Sequence, residues 1–573
     1  MSNSTETTPP LPVAAKESKA QKAERLKLAK NPWEALEEIR AFAREGLGSV
    51  LPEWANLYFK WWGIYTQGDG AGVTGGKGGE GVTSEYFMMR IAVPNGILRS
   101  SQLRTIGQLT VDHARDLADV TTRQAIQLHW LTIESLPAVI DAIEAIGLSP
   151  RGACGDVVRN VTGCPVAGLD AHEIIDASPL ARALAAELNG NAEFYNLPRK
   201  FKITVSGCPI WCSYPEINDV AVTAVRRGEE IGYSIRVGGG LSKEPHLAVK
   251  LDAFVHEAQV VPVVRAIAEL FRRQEGLRQS RDRARIKYLF MAEGWTAGRF
   301  LAETEAILGY MLELGVPDEV PEDVFRDHTG VRAQKQAGLY SVGASVLNGR
   351  LSGETLLELA ALAEELGGSE VRTTVNQNLI IPNVPEANLA ALLERLKALH
   401  LYVEANNFWL GTVACTGTEF CKLAITETKG FARWLVEELE GRLPGFDQQL
   451  KLHITGCPNN CGQAWIGDVG LEGKKIKHEG KLTDAYYFCL GGSVGQHAAV
   501  ARPVGYRCLA THVPDSIERL LRRYLLTRQP DENLRAWFSR HSNEELHVYL
   551  SGKKLEVVER DLPTGHVPHA VAE

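Results

Sequence analysis

The sequence predicts an α+β protein built by tandem duplication: two related halves about a pseudo-twofold axis, with the site at their junction. Three observations predict it. The turn Gly-Cys-Pro-x-x-Cys occurs twice, as "SGCPIWC" and "TGCPNNC", which places Cys208 and Cys457, and likewise Cys212 and Cys461, 249 residues apart. Further matches keep nearly that spacing: "TTRQAIQLHWLTI" from Thr121 with "TTVNQNLIIPNVP" from Thr373, "VGGGLSKEPHLAV" from Val237 with "LGGSVGQHAAVAR" from Leu490, and Pro262 with Pro514, offset by 252 or 253. A common offset at several places is the mark of duplication with few insertions. Each copy also runs through the same order of patterns.

The chain opens on a polar, proline-containing stretch, residues 1–30, read as a disordered tail leading into a helix from about Pro32. Segments 86–93 and 338–346 read as extended chain; each is followed by a glycine turn and a helical pattern, over 101–119 and 352–365. A β-rich Thr-Thr segment comes next, then apolar spacing near 3.6 over 136–146 and 386–399. This small β-α-β-α module precedes a larger segment holding cysteines, a glycine-rich turn and a closing helix. The implied boundaries are a tail and helix (1–50), a first small module (51–150), a first large domain (151–330), a second small module (331–405) and a second large domain with C-terminal helices (406–573).

At 573 residues the chain exceeds one ordinary hydrophobic core. A net charge of -8 argues against nucleic-acid binding through phosphate contacts. No stretch approaches the roughly 20 apolar residues of a membrane helix, and the N-terminus lacks a secretory apolar core. A cytoplasmic monomer with reduced thiols is expected, so ten cysteines point to metal or redox chemistry rather than to disulfides. "GDGAGVTGGKGGEG" follows no apolar strand and "VGGG" has the wrong spacing for a dinucleotide fingerprint, so electrons must come from another protein.

The second copy pairs Cys415 with Cys421 in "ACTGTEFCKLAITETK" and Cys457 with Cys461 in "TGCPNNCGQ". Four thiolates in two close pairs suit an iron-sulfur cubane or a tetrahedral zinc, and the spacing is not that of zinc knuckles.

These two motifs, and nearly the whole chain with its duplication, resemble the siroheme-dependent nitrite and sulfite reductases. The resemblance implies the nitrite/sulfite reductase fold, each half a ferredoxin-like module plus a larger cofactor domain. It implies a 4Fe-4S cluster on Cys415, Cys421, Cys457 and Cys461, with Cys461 bridging to the siroheme iron. A small oxyanion on haem iron needs cations to offset its charge and pass protons. By the same resemblance Arg90, Arg159, Lys200 and Lys202 bind substrate, Arg123 and Arg199 lie near the siroheme carboxylates, and reduced ferredoxin is the donor. The expected reaction is six-electron reduction of nitrite to ammonia. "GTEFC" and "CPNNCGQ" look like the nitrite branch, whereas Lys202, where Asn is common in that branch, looks like the sulfite branch; sulfite reduction is the alternative. A cobalt-corrinoid biosynthetic oxygenase is a more distant one. Two Arg-rich runs, "FRRQEGLRQSRDRARIK" and "RLLRRYLLTR", are candidate donor-docking surfaces or solvated helix faces.

In the first copy Cys164, Asp170, Cys208 and Cys212 stand opposite the four cluster cysteines. One cluster per chain is expected, with the first-copy thiols reduced. Cys154 receives no role; Trp61 and Trp62 are read as core.

Overall fold

The computed structural model describes residues 17–32, 34–68, 85–322 and 326–553. The first residues of the expected tail and the glycine-rich stretch beyond Gly68 lie outside them. Part of that tail is a helix, Lys19–Ala29. Ser18 and Gln21 form a capping box at its start, which satisfies amide groups that a helix end leaves unpaired. The next helix, Ala35–Glu45, matches the one expected after Pro32.

Four five-stranded sheets carry the duplication. Strand Phe87–Ile91 in one copy and Leu339–Ala344 in the other begin the small modules. The helix expected over 101–119 ends at His113, and Ala118–Val120 is a strand. The modules exchange edges: Arg350–Leu351 pairs with Ala118–Val120, and Ile97–Arg99 pairs with Glu370–Thr373. One apolar core therefore runs through both, from Leu26 to Val403. Helices Ser100–His113 and Gly353–Leu366 meet at Gly107 and Gly353; a Cβ on Gly353 would stand 2.7 Å from the Gly107 carbonyl oxygen.

The two larger sheets share a topology. Strands Thr162–Gly163, Ile203–Ser206 and Val220–Arg227 are parallel, and Glu230–Val237 returns antiparallel. Thr412–Ala414, Leu452–Thr455, Val469–His478 and Lys481–Leu490 repeat the pattern. Each sheet has its own core, and a small apolar cluster including Tyr214, Ile217, Val375 and Trp465 joins the halves. Trp61 and Trp62 are buried. No helix among the described residues is long and apolar enough to cross a membrane.

Candidate functional site

The turn after Leu452–Thr455 brings four cysteines together. It bends through left-handed residues at Asn460 and Gln463, at φ 57° and 61°. Gly462 packs so closely on the strand that a Cβ would stand 1.9 Å from the Ile454 carbonyl oxygen. Cys415 follows the neighbouring strand, and its sulfur accepts the Gly456 amide at 3.2 Å. Backbone amides of Leu423 and Ala424 serve Cys421, and that of Asn459 serves Cys457. Burial, and then the charge of neighbouring thiols, raises the pKa of Cys415 and Cys457 and pushes Cys421 up to about 12. Cys461 acts on all three, so the four sulfurs share one space. Thiols crowded this way ionise together only beside compensating positive charge, while the amides aimed at them stabilise thiolates; both features fit a metal cluster.

Facing Cys461 is a wall of cations. Arg90 lies in strand Phe87–Ile91, where Gln127 Oε1 accepts its Nε at 3.1 Å and its Nη2 at 2.5 Å. Its Nη1 reaches the Ala153 carbonyl oxygen at 3.3 Å and Cys154 Sγ at 3.4 Å, which gives Cys154 a place beside the site. Arg159 folds back on Gly155 O (3.0 and 2.7 Å) and Ala153 O (3.1 Å). Lys200 and Lys202 flank Phe201, which bridges to Val158 just before strand Ile203–Ser206. Both are half-buried, and Lys202 lines a cleft. That burial, reinforced by neighbouring cations, lowers Lys200 to about 7 and Lys202 well below the usual lysine range. Burial also lowers Arg123 to about 9, with Arg159 the next cause; its Nη1 donates to Asn218 Oδ1 at 2.6 Å. Arg199 pairs with Asp156 at 3.2 Å.

Sequence reasoning missed Gln127, Asp219, Arg285 and Lys287. Asp219 accepts Arg285 Nε and Nη2, each at 2.8 Å, and the Lys202 amide at 2.8 Å. Arg285 and Lys287 are buried, although they belong to one of the Arg-rich runs read as a surface. The run is divided: Arg281 also turns inward, to Asp156 at 2.5 Å, whereas Arg273 and Arg283 are exposed. In the other run Arg522 pairs with Glu518, and Arg519 bonds the Leu550 carbonyl oxygen. The half-buried cations Arg90, Arg123, Arg159, Lys200 and Lys202, with buried Arg285 paired to Asp219, call for a polyanion, because partly desolvated cations repel one another. The buried Nε of Arg123 and Oε1 of Gln463 have no partner among the described residues, and both residues line the cleft with Thr122, Lys202 and Tyr214. A tetrapyrrole bearing many carboxylates matches the charge of that wall.

The first copy repeats the turn. Cys164, Cys208 and Cys212 are buried and sense one another's charge; burial raises all three, Cys208 to about 11. Asp170, opposite Cys421, is held by Arg326 at 3.2 Å.

Comparison with known proteins places these features. Residues 154–309 and 406–555 match the nitrite and sulphite reductase 4Fe-4S domain, and 81–146 and 332–399 match the nitrite/sulfite reductase ferredoxin-like half domain. The chain is 37% identical over 546 residues to the assimilatory ferredoxin-dependent nitrite reductase of Haloferax mediterranei, covering 90% of each. It is 35% identical over 534 residues to a sulfite reductase [ferredoxin] of Mycolicibacterium paratuberculosis, covering 91% of this chain and 95% of that one. The solved structure of the Mycobacterium tuberculosis NirA protein superposes with a TM-score of 0.86 at 34% identity, covering 91% of this chain and 97% of the other.

Proposed function

Because the chain belongs to the nitrite and sulphite reductase family, we propose that it reduces nitrite to ammonia with six electrons supplied by ferredoxin. It is an oxidoreductase, and its cofactors are siroheme and a 4Fe-4S cluster. Cys415, Cys421, Cys457 and Cys461 are the residues that would hold the cluster, and Cys461 would also serve the siroheme. When bound, the two groups would supply electrons to the substrate one at a time.

The observation that carries this reading is the position of Cys461. It is exposed, and its charge acts on both Arg90 and Lys200, so the cluster side and the cation side address one space. Arg90 and Arg159 are fixed guanidiniums, oriented by Gln127, Ala153 and Gly155, that hold the anion. Lys200, poised near 7, holds the anion when charged and can release its proton as bonds to oxygen break. Arg123 and Arg199 are the proposed partners of the siroheme carboxylates, supported by the place of Arg123 in the cleft. Ferredoxin as donor is supported by relatives named for it.

Lys202 favours a second reading, sulfite, since added positive charge suits a dianion. Its neighbours weaken that argument: burial, and then Lys200, Arg123 and Arg285, lower the Lys202 pKa and so oppose its charged form. The corrinoid oxygenase reading expects part of the cation set to be missing, and Arg90, Arg159, Lys200 and Lys202 are all in place. The test is turnover of nitrite and sulfite side by side with reduced ferredoxin, in wild type and Lys202→Asn. Nitrite is expected to give the higher kcat/KM, and Lys202→Asn to widen the ratio. A wild type that strongly prefers sulfite makes the second reading the right one.

A further inference from the structure

We infer that the N-terminal helix Lys19–Ala29 is part of the anion site, with Lys27 a positioning residue for Arg90 and Arg159. The helix lies ahead of residue 81, where the family match begins. Lys27 nonetheless has a fully buried side chain. Its Nζ sits 3.0 Å from Asp156 Oδ2, 2.7 Å from Glu24 Oε1 and 2.8 Å from the Leu197 carbonyl oxygen. Asp156 is itself buried and also binds Arg281, at 2.5 and 3.1 Å, and Arg199 at 3.2 Å. These cations hold its carboxyl well below the usual carboxylate range despite burial.

Asp156 anchors the turn on which both substrate-facing guanidiniums hang. Arg90 and Arg159 each donate to the Ala153 carbonyl oxygen, and Arg159 donates twice to Gly155. The turn is zipped to the segment carrying Lys200 and Lys202: Leu197 N donates to Asp156 O at 3.3 Å, Phe201 N to Val157 O at 3.0 Å, and Arg159 N to Phe201 O at 2.8 Å. Lys27 touches both strands of this zipper, at Asp156 and at Leu197. Without it, Asp156 is drawn toward Arg281 and Arg199 alone, and the carbonyls that aim the guanidiniums move with it. Shifts of a fraction of an ångström at such supports change substrate affinity while the chemistry is untouched.

The inference rests on the reading that Arg90 and Arg159 hold substrate, and the experiment separates the two. In the full-length holoenzyme, Lys27→Met is expected to raise KM for nitrite by about tenfold. kcat should stay within about twofold, with siroheme and cluster absorbance per protein unchanged. Asp156 keeps two cations, Arg281 and Arg199, in this variant, and the unchanged absorbance reports that the fold is kept. Lys27→Arg should recover most of the loss. Tyr58→Phe removes a 3.1 Å bond from Tyr58 Oη to the Leu26 carbonyl oxygen on the same helix without touching Asp156. It is expected to lower Tm and leave KM alone. A Lys27→Met enzyme with wild-type KM, or a Tyr58→Phe enzyme with an equal rise, overturns the inference. An Arg159→Gln enzyme with wild-type KM overturns the reading beneath it.

Discussion

The charge of Lys200 makes nitrite binding depend on pH, and the dependence has a definite sign. Burial lowers the folded pKa to about 7, so Lys200 is charged and competent to hold an anion below that value, and neutral above it. Between pH 7 and pH 9 the charged fraction falls from one half to roughly one in a hundred, so KM for nitrite rises by up to about fiftyfold if only the charged form binds. Nitrite keeps its charge throughout this window. Lys200→Arg keeps a cation at every pH and is expected to flatten the profile, at some cost in affinity because a planar fork replaces a point charge. The assay is steady-state nitrite turnover with a reduced small-molecule donor from pH 6.5 to 9, with KM and kcat resolved separately. A wild-type KM that stays flat, or a Lys200→Arg profile parallel to wild type, refutes the reasoning. Calorimetry in buffers of different ionisation enthalpy adds a check, since an anion that draws the proton back onto Lys200 must take up about one proton per site at pH 8.

Cys421→Ser should lose the cluster, read as iron and acid-labile sulfide, whereas Cys208→Ser should leave both at wild-type levels; loss in the second variant would show iron in the first copy as well. Glu216 is buried, accepts the Gly495 amide at 3.0 Å, and is raised by burial from 4.5 to about 8. The folded protein keeps that proton between these values and the unfolded chain does not, so the wild type loses stability as pH rises through the window, by at most roughly 5 kcal/mol. Glu216→Gln retains an acceptor for Gly495; its Tm advantage over wild type should grow from pH 5 to pH 9, and a constant difference would contradict the assignment.

The duplication was legible because an offset survives wherever chemistry holds a motif. Its closure was not: the exchanged strands Ile97–Arg99 and Arg350–Leu351 are three and two residues long, too short for periodicity, and they take their place only because the other half offers an edge. The helix Lys19–Ala29 was hidden by its polarity, although Ser18 and Gln21 stand at capping-box spacing. Charge type alone also misled in the run ending "RDRARIK". A solvated and a buried arginine look alike in sequence, and only Asp219, far from Arg285 along the chain, separates them. The cluster cysteines were easier, because a fixed spacing around a Gly-Cys-Pro turn carries its own geometry.

That turn has a use in both copies that does not depend on metal. Its left-handed positions coincide, Trp211 with Asn460 and Tyr214 with Gln463. Asparagine accepts such a conformation readily, whereas tryptophan and tyrosine do so at a cost. In the first copy the cost is offset locally: the Arg236 guanidinium lies 4.2 Å from the Trp211 ring, and the Tyr214 hydroxyl donates to Asn376 in the other half. The corner swings the following side chain toward the junction, so Tyr214 from one half and Gln463 from the other line the same cleft with Arg123 and Lys202. A relic turn kept only for its cysteines could relax at Trp211 and Tyr214 once the fourth ligand position became Asp170. It has not relaxed, because the backbone that aims Tyr214 also sets the wall facing the second copy. Metal ligation and wall building are separable tasks of one turn, and the first half carries out the second whether or not its cysteines hold iron.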